Sequence, residues 1–291
     1  MGHKTHARGI MAVSMAIFGT LGIFVRHIPV SSGELALYRA VLAAALIGMY
    51  LLLRRQRIDL AAIKKELLLL LLSGIAIGIN WILLFEAYRY TTVSIATLSY
   101  YFAPVIVTAV CPLLFREKLT RRQLLCFVMS TIGLVLITGL GDLSADSSHL
   151  TGIGFGLGAA VFYATVVLLN KFIKDVTGIH RTFLQFLAAI VILLPYVLTT
   201  GGVSLGGMDG LGWACLLVVG LVHTGVTYCM YFSSLKELPG QAAAILSYID
   251  PLVAVLISVT LLREAMTLWQ ALGGALILGF TLLNELPEKK K

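Results

Sequence analysis

Apolar residues run in long blocks along this chain, with polar residues gathered between them. Ten apolar stretches stand out, at about 9–26, 34–53, 67–87, 93–115, 123–140, 152–170, 179–199, 212–234, 241–262 and 267–286. Each has roughly the 17–25 residues that a helix needs to cross a bilayer. Nothing alternates apolar and polar positions like a series of barrel strands. The pattern predicts an all-α integral membrane protein of ten transmembrane helices with short connections and no soluble domain. The N-terminal segment lacks a cleavable signal pattern, so the first apolar run is expected to be retained.

Composition agrees with that solvent. Of 291 residues, 59% are hydrophobic and only 12% charged, and the mean hydropathy is +0.95; soluble domains carry about 25% charged residues. The basic residues suggest an orientation. With the N-terminus inside and ten alternating helices, 18 Lys and Arg fall on the inside, at positions such as Arg54, Arg55, Lys64, Lys65, Arg121, Arg122 and Lys174. Only Arg26, Arg89 and Arg263 fall outside. This bias predicts a multi-pass plasma-membrane protein with both termini cytoplasmic. It also accounts for the net charge of +8 through topology and anionic lipid contacts, without nucleic acid. Cys111, Cys126, Cys215 and Cys229 all lie in apolar runs. They lack zinc-ligand spacing and read as small apolar residues.

The chain is written twice. Shifted by 147 residues, the segment 78–123 matches 225–270 at ten positions. These include Gly78/Gly225, Phe85/Phe232, Tyr101/Tyr248, Pro104/Pro251, Arg116/Arg263, Glu117/Glu264, Thr120/Thr267 and Gln123/Gln270. Each half would hold five helices, residues 1–140 and 141–291. Five is odd, so the second half enters the membrane from the opposite side. Two inverted five-helix repeats are a pattern of secondary transporters.

The late part of each half carries a resemblance. "LSYYFAPVIVTAVCPLLFREKLTRRQLLCFVMSTIGLVLI" and "LSYIDPLVAVLISVTLLREAMTLWQALGGALILGFTL" share a mid-helix proline, a Glu-x-(Leu/Met)-Thr turn, a Gln and a Gly-containing last helix. "LALYRAVLAAALIGMYLLL", containing Arg39, resembles the second helix of the same family. The chain is identified as resembling the drug/metabolite transporter superfamily, EamA type, over nearly its whole length. The resemblance implies transport of a small metabolite, with amino acids or related amines foremost and export favoured over import.

Asp250 and Pro251 sit inside an apolar run, where a charged Asp costs about 2.5–3.5 kcal/mol on insertion scales. Proline removes one helical hydrogen bond at each of Pro104 and Pro251. Two repeat-related helices are therefore expected to bend near the bilayer midplane. Asp250 reads either as the N-cap of the second half-helix or as a proton or cation site on the substrate path; the two are compatible. Glu86 ends helix 3 and is either a second site carboxylate or an outer headgroup neighbour. Arg39 either snorkels outward or pairs with Glu86 or Asp250 across the cavity, and it counts among the candidate substrate-binding residues. Trp81, Tyr101, Tyr228 and Tyr248 form an aromatic set that serves packing or a cation-binding pocket. Asn80 and His223, with Thr227, are candidate cavity-lining polar groups, and His223 could carry a proton. Asn170 is a weaker candidate.

Other motifs fail. "TGIGFGLGAA" follows no strand and is no dinucleotide fingerprint. Its small-residue spacing permits close helix packing inside the protein or in a homodimer. No nucleotide-hydrolysis motif, metal cluster or nucleophile–base arrangement is visible. The expectation is therefore no enzyme and no cofactor. A secondary transporter would work by alternating access around a midplane cavity, with protons as a possible coupling ion. The alternatives are an importer of a quaternary amine such as choline, or a non-transporting scaffold or sensor.

Overall fold

The computed structural model describes residues 2–56, 60–115, 120–137, 147–176, 178–235, 237–238 and 246–285. Arg116 and Glu117, the first copy of the Arg-Glu pair, lie outside these residues. Among the described residues every regular element is helical: α1 (Gly2–Gly19), α2 (Leu21–Val25), α3 (Ser32–Leu53), α4 (Leu60–Tyr90), α5 (Val93–Tyr100), α6 (Ala103–Phe115), α7 (Arg121–Ile137), α8 (Ser147–Phe172), α9 (Gly178–Thr200), α10 (Gly210–Leu217), α11 (Thr227–Leu235), α12 (Ile249–Thr260) and α13 (Leu268–Glu285). A 3-10 turn at Leu205–Gly207 precedes α10, and a π-helix, Val218–Val226, joins α10 to α11.

Six helical spans are long and apolar enough to cross a membrane: His6–Val25, Ser32–Leu53, Ile63–Tyr90, Ser147–Phe172, Gly178–Thr200 and Gly210–Tyr231. Val93–Val107, Ile249–Thr260 and Leu268–Leu283 are shorter apolar helices. Their outer surfaces are greasy, with Leu52, Leu68, Val191, Leu261 and Trp269 exposed. In water such a surface would aggregate; in lipid it is the expected face. The interior is small and tightly packed. Ala36, Ala40, Ala43 and Ala189 have no exposed surface, and they let α3 meet α9 closely.

The helix starts follow local chemistry. Ser31 and Glu34 form a reciprocal capping box on α3, and Thr92 and Asp209 cap α5 and α10. The repeated Thr-x-x-Gln turn is also a capping box. The Thr120 N–H donates to Gln123 Oε1 at 2.8 Å, and the Gln123 N–H donates to Thr120 Oγ1 at 3.2 Å. Thr267 and Gln270 repeat the pair at 2.9 and 3.2 Å. Each pair satisfies two amide donors that the first turn of a helix would leave bare.

Several helices are interrupted. Tyr101 and Phe102 form a turn between α5 and α6, so Pro104 falls in the first turn of a new helix. There its missing N–H does no harm. A turn at Tyr248 likewise precedes α12, with Pro251 in its first turn. Both prolines thus mark helix breaks, as the pattern predicted. Two further interruptions were not predicted, at Thr20 and in the π-helix. They arise from side chains that bond back to backbone carbonyls. Thr20 Oγ1 donates to the Ile17 carbonyl at 2.8 Å. Thr224 Oγ1 and Thr227 Oγ1 donate to the carbonyls five residues back, Val219 at 2.8 Å and Val222 at 2.7 Å.

Candidate functional site

The interruptions converge. Gly19, beside the break at Thr20, lies so near α12 that a Cβ there would stand 2.5 Å from the Asp250 carbonyl oxygen. His223 of the π-helix bonds Thr20 Oγ1 through Nε2 at 2.8 Å, and its Nδ1 lies 3.3 Å from the Val218 carbonyl. The ring packs edge-on against Phe24, 4.9 Å between centroids. Both nitrogens are engaged, so His223 ties the first helix to the π-helix.

Asp250 is in the first turn of α12, but the N-cap position belongs to Tyr248, and no side chain caps that end. The capping reading of Asp250 is therefore corrected: its carboxylate makes no cap hydrogen bond there. Its Oδ2 instead accepts a hydrogen bond from the Tyr101 hydroxyl at 2.7 Å. The unwound turn before α6 is what aims Tyr101 across at α12. Tyr88, Tyr100, Tyr163 and Tyr228 also lie within electrostatic reach of Asp250. Tyr100 packs against Tyr101 and Tyr163, with centroids 5.7 and 5.4 Å apart. A carboxylate bonded to one phenol, which packs in turn on another, is a polar site inside an apolar bundle.

Arg39 overturns both sequence readings. Its side chain does not snorkel, being only 3% exposed, and no carboxylate among the described residues pairs with it. Its guanidinium lies over Trp81 at 4.3 Å and over Phe85 at 5.3 Å. Trp81 and Phe85 are four residues apart on α4, so they form one aromatic platform. Arg39 Nε donates to Thr224 Oγ1 at 3.0 Å. The direction of α3, which points Arg39 inward at α4 and the π-helix, was not visible in its nearly uniform apolar sequence.

The remaining candidates divide. Trp81 is buried beneath Arg39 and packs on Phe186, 5.3 Å between centroids. Tyr228 lies edge-on to both Phe18 and Phe186, at 5.2 and 5.3 Å. Tyr248 is buried. Asn80 donates through Nδ2 to the Ala159 carbonyl at 2.6 Å, which fastens α4 to α8. Glu86 is drawn to the end of α4 by Arg89, 3.3 Å away on the same helix. Asn170 accepts from Gln185 Nε2 at 2.7 Å at the other end of the bundle. Thr20, Tyr88, Tyr100, Tyr163 and Thr224 escaped sequence reasoning, because isolated Thr and Tyr residues in apolar runs carry no signal of their own.

A cavity of about 830 Å3 is lined by Arg26, Tyr88, Arg89, Tyr90, Thr91, Thr92, His149, Glu264 and Gln270. Tyr88 belongs both to this vestibule and to the surroundings of Asp250 and Arg39. Glu264, from the repeated Arg-Glu pair, forms an ion pair with Arg26. It also accepts from the Val93 N–H at 2.9 Å and from Ser258 Oγ. One carboxylate thereby fastens the ends of α2, α5 and α12 beside the opening. Among the described residues, Cys126 and Cys215 are buried and Cys229 half-buried, all as free thiols. Among the described residues no cluster of His, Cys, Asp or Glu could hold a metal ion.

A bundle of apolar helices with an apolar outer face and a polar, aromatic interior defines a multi-pass membrane protein. The EamA-like transporter family model matches residues 8–139 and again 150–285, and the chain belongs to that family. It is 31% identical over 268 residues to an uncharacterized transporter of Bacillus subtilis, YxxF, covering 92% of this chain and 85% of that protein. It is 28% identical to an uncharacterized transporter of Archaeoglobus fulgidus, covering 96% of each. A solved crystal structure that is 16% identical superposes with a TM-score of 0.67, covering 95% of this chain and 96% of the other; that likeness shows a shared fold. The protein is thus a transporter, which suggests that it is not an enzyme.

Proposed function

We propose that this protein is a secondary active transporter that exports a small amine-bearing metabolite, amino acids foremost, by alternating access around the Asp250 cluster, with a proton exchanging at that carboxylate. The observation that carries the reading is the Asp250–Tyr101 hydrogen bond inside the bundle, which joins the two proline-marked helix breaks. A buried carboxylate there can hold either a proton or an ammonium group, and that exclusivity is the chemical basis of exchange. The Arg26–Glu264 contact beside the vestibule supplies a closure that alternating access needs at one end.

Two inverted repeats are part of the proposal, and packing supports them. Gly78 approaches Leu193, and Gly225 approaches Leu46. Gly78 and Gly225 are 147 positions apart, and so are Leu46 and Leu193. Likewise α4 packs on α8 as α11 packs on α1, and α4 packs on α9 as the π-helix packs on α3. Repeat-related contacts of this kind suit a protein that switches between two mirrored arrangements.

Purified protein in liposomes tests the function. Radiolabelled amino acids are expected to move faster when an imposed pH gradient opposes their own gradient, and faster than in empty liposomes. Absence of substrate-dependent flux across a panel of amino acids and amines would reject transport in favour of a scaffold or sensor. A second reading, uptake of a quaternary amine, rests on the tyrosine faces near Asp250. Choline in the same panel decides it, and buried Arg39 argues against a cation that carries no carboxylate to offset it.

Both termini are expected in the cytoplasm of a plasma-membrane protein. Single cysteines at positions 5 and 205 test this in intact cells with a membrane-impermeant maleimide. Labelling at 205 alone is expected; labelling at 5 alone would invert the orientation.

A further inference from the structure

We infer that Arg39 reads a carboxylate on the transported molecule, so that the site prefers zwitterionic amino compounds to simple amines. This rests on the transport reading above and concerns which substrates that site admits.

A guanidinium carries five N–H donors and remains charged at any physiological pH. Arg39 uses Nε on Thr224. Thr224 gives its own hydroxyl proton to the Val219 carbonyl, so it can only accept from Arg39, and this fixes the plane of the group. Trp81 and Phe85 then cover its face. Face and Nε are thus occupied, whereas Nη1 and Nη2 have no hydrogen-bond partner among the described residues. Those two nitrogens form the outer edge of the fork, which matches a carboxylate through two parallel bonds.

The charge balance points the same way. Arg39 is 3% exposed, and a buried charge without an opposite charge is held at considerable cost. Aromatic faces and one threonine offset part of it. Among the described residues no carboxylate is in ion-pair contact with it, and Asp250 is occupied by Tyr101. Yet Tyr88, Tyr100 and Tyr228 each lie within electrostatic reach of both Arg39 and Asp250. Both charges therefore act on one shared group of tyrosines. A molecule with an ammonium and a carboxylate satisfies both poles; a simple or quaternary amine leaves Arg39 unmatched and is repelled by it.

The test compares each amino acid with the amine that lacks its carboxylate: tyrosine with tyramine, leucine with isoamylamine, lysine with cadaverine. Binding is measured by isothermal titration on purified full-length protein in detergent, for the wild type, Arg39→Gln and Arg39→Lys. In the wild type the amino acid of a binding pair should bind about 10- to 100-fold tighter than its amine, the worth of a charge-assisted hydrogen bond. Arg39→Gln should erase that gap by weakening the amino acid, with the amine bound as well as in the wild type or tighter, since a like charge is removed. Arg39→Lys keeps the charge but loses the fork, and should fall between. Equal binding of acid and amine by the wild type overturns the inference, whether or not the variants fold. So does a gap that persists in Arg39→Gln, or a variant that loses acid and amine alike. If no member of any pair binds and none is carried in liposomes, the transport reading fails and takes this inference with it; flux without discrimination sinks the inference alone.

Discussion

Asp250→Asn is expected to reduce proton-driven flux to the background of empty liposomes while leaving the melting temperature nearly unchanged. The carboxylate does not cap α12, so its removal strips no amide of a partner. Its one direct contact is the Tyr101 hydroxyl at 2.7 Å, and an Asn carbonyl can accept that bond. The fold should therefore lose less than about 1 kcal/mol. What vanishes is the capacity to take up and release a proton, and the negative charge that would hold an ammonium. Asp250→Ala removes the acceptor as well and leaves the buried Tyr101 hydroxyl unmatched, at a cost of about 1–3 kcal/mol. Flux under an imposed pH gradient, run beside melting curves for both variants, separates the roles. Normal gradient-driven flux by the Asn variant would remove Asp250 from the mechanism. A large fall in its melting temperature would make the residue structural.

Glu66→Ala should produce the opposite signature, a large loss of stability with substrate preference intact. The Glu66 carboxylate is buried at the start of α4, where Oε1 accepts from the N–H groups of Lys174 and Asp175 at 2.5 and 2.9 Å. Oε2 accepts from the Val176 N–H at 2.9 Å. Three consecutive amides thus close on one side chain just before α9 begins. At the far end of α9, Glu34 holds Ser204 through its N–H at 2.6 Å and its hydroxyl at 2.7 Å. Two carboxylates from the first half therefore pin both ends of one helix of the second half. Alanine at 66 leaves three donors without an acceptor, and one buried orphan costs about 1–3 kcal/mol. The melting temperature should fall by roughly 5–10 °C. Glutamine offers one acceptor and turns an NH2 group toward a donor, so it should rescue only part. The exposed Lys65–Asp175 pair, at 3.8 Å, is the control, since Lys65→Ala should change stability by less than about 0.5 kcal/mol. An unshifted melting curve for Glu66→Ala would show that the three bonds contribute nothing net.

Sequence by itself determined the solvent, the helical class and the family, because each is written in local composition and period. The long apolar blocks needed no partner to be recognised, and helices occupy them. The 147-residue echo was legible because Thr120/Gln123 and Thr267/Gln270 are polar residues at fixed spacing, and their reciprocal bonds are made within four residues. Pro104 and Pro251 announced their helix breaks for the same reason: a missing N–H acts on its own turn. Asp250 is conspicuous as a charged group in an apolar run, and Tyr101 stands out because the repeat matches it with Tyr248.

Tertiary structure alone decided what those groups touch. In a helix that is apolar all round, no stripe marks the inward face, so the rotation of α3 could not be read and Arg39 was sent the wrong way. Its platform of Trp81 and Phe85 comes from another helix. Its anchor, Thr224, is 185 positions away and is presented by a π-helix that no local pattern announced. Asn80 became a clamp on Ala159 through packing of α4 on α8. Glu66 found its three amides more than a hundred residues downstream. Composition and period are properties of neighbours along the chain, whereas a buried charge is satisfied by whichever helix lies against it, and that depends on how the whole bundle packs.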